Sequence, residues 1–332
     1  MNNFKKIGMT ALAASLVSTS VFAGELAVKG SAKINWENYS GTAKSSTKAF
    51  SMGNQITFSG SGELDNGLTV DLSFVIDEFD GANVESVANS GSVFDAHSVT
   101  ISSDALGTLK FHGEGGDSAQ NAVGDTAAGN IWDNFDKKAT GAAKLSESGA
   151  TTNMMHYTLP TLVDGVAISA SYVPAGKTDT SDTAYAVVYT GIDGLTASYG
   201  KGTSDQDAAG TLDNTADADT TSMKLSYVYG SVTLAYSDHS HDSNTDTSDQ
   251  DAKSMKISYA VSDDISVTYA TEEIDSNASA TNEDAEYTKI TTSYTSGGMT
   301  ISANYQDAEN IAFSTAVAED LEYYGLSLSF AF

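Results

Sequence analysis

The sequence has no cysteine, and all 16 of its basic residues are lysine, so it has no arginine either. Without cysteine there is neither a disulfide framework nor a thiolate-ligated zinc or iron–sulfur centre. Positive charge is scarce: 44 acidic side chains stand against those 16 lysines, for a net charge of −28. A chain so acidic repels a phosphate backbone, which excludes nucleic acid as a partner. Beyond the N-terminus there is no apolar run of about 18 residues, so no transmembrane helix is expected. Yet 40% of residues are hydrophobic and only 18% charged, so the charge must be concentrated in particular segments.

Residues 1–23, MNNFKKIGMTALAASLVSTSVFA, read as a cleaved secretory signal peptide. Lys5 and Lys6 precede an apolar stretch over 7–17, and Val21 and Ala23 supply a small-residue cleavage site before Gly24. The mature chain, residues 24–332, carries −30 because both leader lysines are removed.

The mature chain alternates with period two. At its C-terminal end Tyr324, Leu326, Leu328, Phe330 and Phe332 share one face, and Tyr323, Gly325, Ser327, Ser329 and Ala331 the other. Near its start Leu26, Val28, Ala32 and Ile34 oppose Lys29, Ser31, Lys33 and Asn35. Hairpins then repeat: SMKLSYVYGSVTLAY (222–236) resembles SMKISYAVSDDISVTY (254–269), each a strand, a tight turn and a returning strand that ends in Tyr. Long polar stretches such as 237–252 and 271–285 separate the hairpins. Short turns alternating with long loops are the pattern of an all-β transmembrane antiparallel barrel. Only a closed sheet satisfies its backbone in lipid without helices. Sixteen strands are predicted, enough to enclose an aqueous channel rather than a packed core. Tyr residues near strand ends suit interfacial aromatic girdles.

Three further features resemble the Gram-negative general porin family, in its alphaproteobacterial type. The chain ends in Phe332 and Phe330, like the family's assembly signal. The run Ser103-Asp104-Ala105-Leu106-Gly107-Thr108-Leu109-Lys110-Phe111 resembles the family's Asp-Phe-Gly-Thr turn and the strand after it. Asn153-Met154-Met155-His156-Tyr157-Thr158-Leu159-Pro160, with Gly165, resembles the strand and turn after the third loop. Between these landmarks, 115–152 lies in the position of an inward-folded constriction loop. The family's arginine ladder has no counterpart, because arginine is absent.

This resemblance implies an outer-membrane channel for passive diffusion of small hydrophilic solutes and ions. It implies a homotrimer among outer-membrane lipid and lipopolysaccharide, without enzymatic activity. A substrate-selective channel for an anion such as phosphate is an alternative. So is a structural or adhesive barrel with a closed lumen.

Selectivity in such a pore is electrostatic. Alternation turns Lys29, Lys33, Lys110, Lys224, Lys256 and Lys289 inward, as a basic wall facing an acidic loop. Glu114, Asp117, Asp125, Asp133, Asp136 and Glu147 supply that loop's acid, alongside Lys137, Lys138 and Lys144. The negative total field predicts modest cation preference. Asp205, Asp207, Asp213, Asp217, Asp219, Asp238, Asp242, Asp246, Asp249, Asp251, Glu272, Glu273, Asp275, Glu283, Asp284 and Glu286 are expected in solvated loops. No cofactor is expected, although Asp242 and Asp246 are candidate ligands for loop-bound Ca²⁺ or Mg²⁺. His239 and His241, in the same polar stretch, are a weak loop metal pair. No histidine stands at a spacing that marks a nucleophile–base pair.

Overall fold

A computed structural model describes residues 26–41, 49–78, 95–136, 138, 145, 152–175, 181–204, 218–243, 249–277, 283–313 and 320–332. The leader lies outside the described residues. The alternating segments form sixteen strands: β1 (Leu26–Gly41), β2 (Ala49–Glu63), β3 (Thr69–Glu78), β4 (Ala96–Ser103), β5 (Gly107–Glu114), β6 (Met154–Thr158), β7 (Val166–Val173) and β8 (Asp182–Ile192). They continue as β9 (Leu195–Ser204), β10 (Ala218–Tyr229), β11 (Val232–Asp242), β12 (Gln250–Ala260), β13 (Ile265–Ser276), β14 (Ala285–Ser296), β15 (Met299–Glu309) and β16 (Leu321–Ala331).

Each strand pairs antiparallel with its neighbour in sequence, and β1 pairs with β16 to close the barrel. The seam is exact to the last residue. Gly30 N donates to the Phe332 carbonyl at 2.7 Å, and Phe332 N donates back to the Gly30 carbonyl at 2.9 Å. The Phe332 ring lies over the bare face of Gly30, where a Cβ would collide with it. Closure leaves no unpaired edge, which a membrane-spanning sheet requires.

Connections on one rim span two to seven residues, and those on the other seven to thirty-nine. Gly194 shows what the short rim demands. Its φ is +75°, and its carbonyl accepts from Val228 N of the adjoining hairpin at 2.8 Å. A side chain there would be strained in φ and would meet the Val228 carbonyl.

Outward positions carry the apolar surface, including Leu72, Ile101, Leu234, Ile257, Ile290 and Leu326, all well exposed. A soluble protein does not leave so much apolar surface bare; a lipid-facing barrel does. Inward positions carry Ser, Thr, Asn and Lys, with cross-strand hydroxyl pairs such as Ser266–Ser293 at 2.7 Å and Ser302–Ser327 at 2.6 Å.

The strands on the long-loop side are longer than the sequence pattern suggested. Asp219, Asp238, Asp242, Asp251, Glu272, Glu273, Asp275 and Glu286 lie on strands, not in loops. Most of them face outward, beyond the last apolar position. Glu273 lies opposite Glu286, which lies opposite Glu309, and Asp251 lies opposite Asp275. Polar composition reads as loop when strands are assumed to end where lipid ends. These strands continue into water, where an acidic outward face carries no lipid penalty.

Candidate functional site: the lumen and its inward loop

The described part of the β5–β6 connection, 115–136 with 138 and 145, folds into the barrel instead of away from it. Its first half is held by side chains on inward positions of the wall. Ala119 N donates to Ser171 Oγ at 2.9 Å, Ala127 N to Ser237 Oγ at 2.8 Å and Ala128 N to Ser254 Oγ at 3.1 Å. Gln120 Nε2 donates to Ser222 Oγ at 2.9 Å. The wall behind it is made of small residues, Ala184, Ala186 and Gly200, and a Cβ on Gly200 would press on Gln120 Cα at 3.0 Å. Loop backbone can approach the sheet only where side chains are this short.

The second half is held by apolar packing. Ile131, Trp132, Phe135 and Leu145 bury themselves against Tyr39, Ile274, Tyr287, Ile311, Phe313, Leu321 and Tyr323. Phe135 meets Tyr39 edge-on, ring centroids 6.3 Å apart, and Tyr287 at 5.8 Å. Tyr39 Oη donates to the Asn134 carbonyl at 3.0 Å, and Lys138 Nζ sits 3.9 Å above the Tyr39 ring.

Glu272 joins the two halves. It is 2% exposed. Its Oε1 accepts from Trp132 N at 3.0 Å and its Oε2 from Thr126 Oγ1. Composition placed this carboxylate in a solvated loop; instead it is an inward residue of β13 that clamps the constriction loop from behind. Its buried charge is offset by charge-assisted hydrogen bonds and by Lys289, within electrostatic reach.

With the loop pinned, its carboxylates divide. Asp117, Asp125 and Asp133 are exposed to the lumen. Glu114 ends β5 on the inward face, and Asp136 is half-buried within reach of Tyr39 and Tyr287. Glu147, Lys137 and Lys144 lie outside the described residues.

The six inward lysines fall on two arcs. Lys29 and Lys33 stand on β1 and Lys110 on β5. Lys224, Lys256 and Lys289 stand on β10, β12 and β14, the arc on which the loop lies. Lys224 Nζ donates to the Asp125 carbonyl at 2.7 Å, and Lys289 is within electrostatic reach of Glu272, Lys256 and Asp125. Of the six, Lys224 is therefore tied directly to the loop backbone.

Asp242 ends β11 on its outward face, and Asp246 lies outside the described residues. Among the described residues no three His, Cys, Asp or Glu side chains come together to hold a metal ion. His239 and His241 are not loop residues; they are inward positions of β11, buried behind the constriction loop. The serine row, Glu272 and Gln120 were missed in the sequence. Strand parity does carry a signal for them: a run of Ala, Gly and Ser at inward positions of β8–β13 marks where a second layer of backbone must fit.

A closed sixteen-strand barrel, apolar outside and polar inside, with a loop narrowing its lumen, defines a water-filled channel through an outer membrane. The chain belongs to the Gram-negative porin family, whose sequence model matches residues 8–332. Comparison with curated proteins finds no significant sequence match.

Solved structures share the fold at low identity. An anion-selective porin from Comamonas acidovorans is 15% identical with a TM-score of 0.68, over 93% of this chain and 100% of that one. A Salmonella typhi OmpF in complex with daunomycin is 15% identical with a TM-score of 0.67, over 93% and 98%. A loop-deleted OmpT from Vibrio cholerae is 13% identical with a TM-score of 0.61, over 92% and 99%. The protein is an outer-membrane channel of a Gram-negative bacterium, for passive diffusion of solutes.

Proposed function

We propose that this channel is a general-diffusion pore with modest cation preference, set by Asp117, Asp125 and Asp133 opposite Lys29, Lys33 and Lys110. The observation that carries the reading is the exposure pattern of the loop: those three carboxylates are exposed between residues buried against the wall, Asp125 accepting from Asn130 Nδ2 at 3.1 Å. A charge on each side of a narrow aqueous gap orders water across it and slows apolar solutes. The lysines on the loop's own arc are drawn toward its backbone and Glu272, so they weigh less on a passing ion. The net field in the gap, like that of the whole chain, favours cations. Lysine is a flexible hydrated point charge, so this eyelet is softer than one lined by guanidinium groups.

The test is the zero-current potential of the purified protein in a planar bilayer under a KCl gradient. A cation-signed potential that shrinks in the triple variant Asp117→Asn, Asp125→Asn, Asp133→Asn supports the reading. An anion-signed potential, with current that saturates or is blocked by phosphate, favours the anion-selective alternative. No conductance at all favours the closed structural barrel.

The partner we assign is the chain itself, as a homotrimer, with the outer wall of β1–β5 as its contact face. Every strand from β6 to β16 presents an outward Tyr, among them Tyr157, Tyr185, Tyr199, Tyr236, Tyr269 and Tyr324. The only tyrosine on β1–β5, Tyr39, points inward. Interfacial tyrosines mark contact with lipid headgroups, and this arc has none. It also carries Asn54 between Met52 and Ile56, and His97 opposite Phe74, polar groups set among apolar ones. The signal peptide over 1–23 is cleaved in this reading, which mass spectrometry of the mature protein checks.

A further inference from the structure

On the inward face of β2–β4, toward the short-turn rim, the wall holds a cavity of about 200 Å³. A single water needs roughly 10–15 Å³, so there is room for a solute. Two cross-strand rows line it. Ser59, Ser73 and Ser98 are neighbours in register across β2, β3 and β4, with Ala27 of β1 beside Ser59. Ser61, Asp71 and Thr100 form the next row, two residues nearer the short turns. Strand parity turns all of these side chains toward the lumen.

These hydroxyls are not spent on one another. Elsewhere in the lumen, inward hydroxyls in register bond across strands: Ser258 with Thr268 at 2.8 Å, Ser266 with Ser293 at 2.7 Å and Ser302 with Ser327 at 2.6 Å. In the cavity, among the described residues, neither the five hydroxyls nor the Asp71 carboxylate has a side-chain hydrogen-bond partner. A hydroxyl both donates and accepts, and a carboxylate accepts at two oxygens. The complementary solute carries several hydroxyls, an adjacent pair of which can share one carboxylate. Ala27 is the only apolar side chain at an inward lining position, so an aromatic ring finds no platform. A small anion meets Asp71, and a small cation meets Lys110, the neighbour of Thr100 on β5. An uncharged solute avoids both costs.

We propose that this cavity is a transient binding site for an uncharged polyol of monosaccharide size. Asp71 accepts from two adjacent hydroxyls of the solute, and the serines and Thr100 donate to and accept from the others. The affinity is weak, because each of these bonds replaces one to water, and weak binding is what a channel requires: a solute that bound tightly would not leave. The site lies between the start of the constriction loop, at the end of β5, and the short-turn rim. It gives the pore a resting place for one class of solute apart from the charges that set ion preference. The proposal rests on the open lumen and on no particular ion selectivity, so a zero-current potential of either sign leaves it standing.

The experiment is saturation-transfer difference NMR of D-glucose over the purified mature protein in deuterated detergent. Transfer should saturate with D-glucose concentration. Asp71→Ala weakens binding by about tenfold or more, and Asp71→Asn, which keeps one acceptor oxygen, by less. Ser73→Val fills the cavity and abolishes the signal. Ser302→Ala, whose hydroxyl is already bonded to Ser327, leaves it unchanged. Heat-modifiable migration confirms that each variant is assembled. No saturable transfer in the wild type, or transfer that Asp71→Ala and Ser73→Val leave unchanged, overturns the proposal. Should those variants fail to assemble, competition on the wild type decides. Myo-inositol, another uncharged polyol, should displace D-glucose and inorganic phosphate should not; the reverse would place the sugar on the lysines and overturn the assignment.

Discussion

Glu272 offers the sharpest test of how the pore keeps its cross-section. Replacing it with alanine removes the acceptor for Trp132 N and for Thr126 Oγ1, both inside a region closed to water. Hydrogen bonds to a charged group are worth about 1.5–3 kcal/mol each, so the gross loss is roughly 3–6 kcal/mol. Part is regained because a buried carboxylate no longer has to be kept from water. A net weakening of about 2 kcal/mol shifts the docked-to-undocked ratio of the loop roughly 30-fold. Single-channel recording reads this as added open-channel noise and a broader spread of conductance in Glu272→Ala.

Glu272→Gln separates position from charge. Its amide oxygen still accepts one of the two hydrogen bonds, so its noise should fall between wild type and Glu272→Ala. The change in ion preference should be the same in both variants, because both remove one negative charge. Glu272→Ala traces as quiet as wild type, with unchanged conductance, would refute the reasoning that this residue holds the loop.

Gly200→Val drives a side chain into Gln120 Cα and pushes the loop's first half toward the pore axis; single-channel conductance should fall with the barrel intact. Gly30→Val evicts the Phe332 ring from the β1–β16 seam. Overpacking of this kind costs about 1–3 kcal/mol, read as a lower temperature for the heat-modifiable band shift. Burial first, then the nearby Asp275, Glu273 and Glu286, raise the carboxyl of Asp284 above its ordinary range. Its contribution to stability is therefore complete below its unfolded pKa and lost as pH rises through the folded one. Amides of Glu273–Ser276 and Ala285–Tyr287 should accordingly be better protected from hydrogen exchange on acidification, after correction for intrinsic rates.

Period-two alternation made most of the barrel legible in the sequence, because one face must meet lipid and the other water. The same parity placed the six lysines inward, and the sixteen strands follow from it. Two things were not legible. Strand ends on the loop side were hidden, because Asp238, Asp251 and Glu273 look like loop when polarity alone is read; nothing in composition distinguishes a solvated strand from a solvated loop. The loop's attachments were hidden because they join residues far apart in sequence through single atoms, Ala127 N to Ser237 Oγ or Trp132 N to Glu272 Oε1. Serine is common at every inward position of this chain, so no one serine announces that it receives a backbone N–H.

The division of lysines has a related cause. Alternation says which face a side chain takes, but not which arc of the wall a loop will cover. Only the path of 115–136 shows that Lys224 serves the loop backbone.

The account stands most directly on the zero-current potential of the purified channel in a KCl gradient, measured beside the triple Asp117, Asp125, Asp133→Asn variant. It predicts a linear, unsaturated current with modest cation preference that the variant reduces or abolishes. An anion preference in the wild type, or a cation preference the variant leaves untouched, would contradict it.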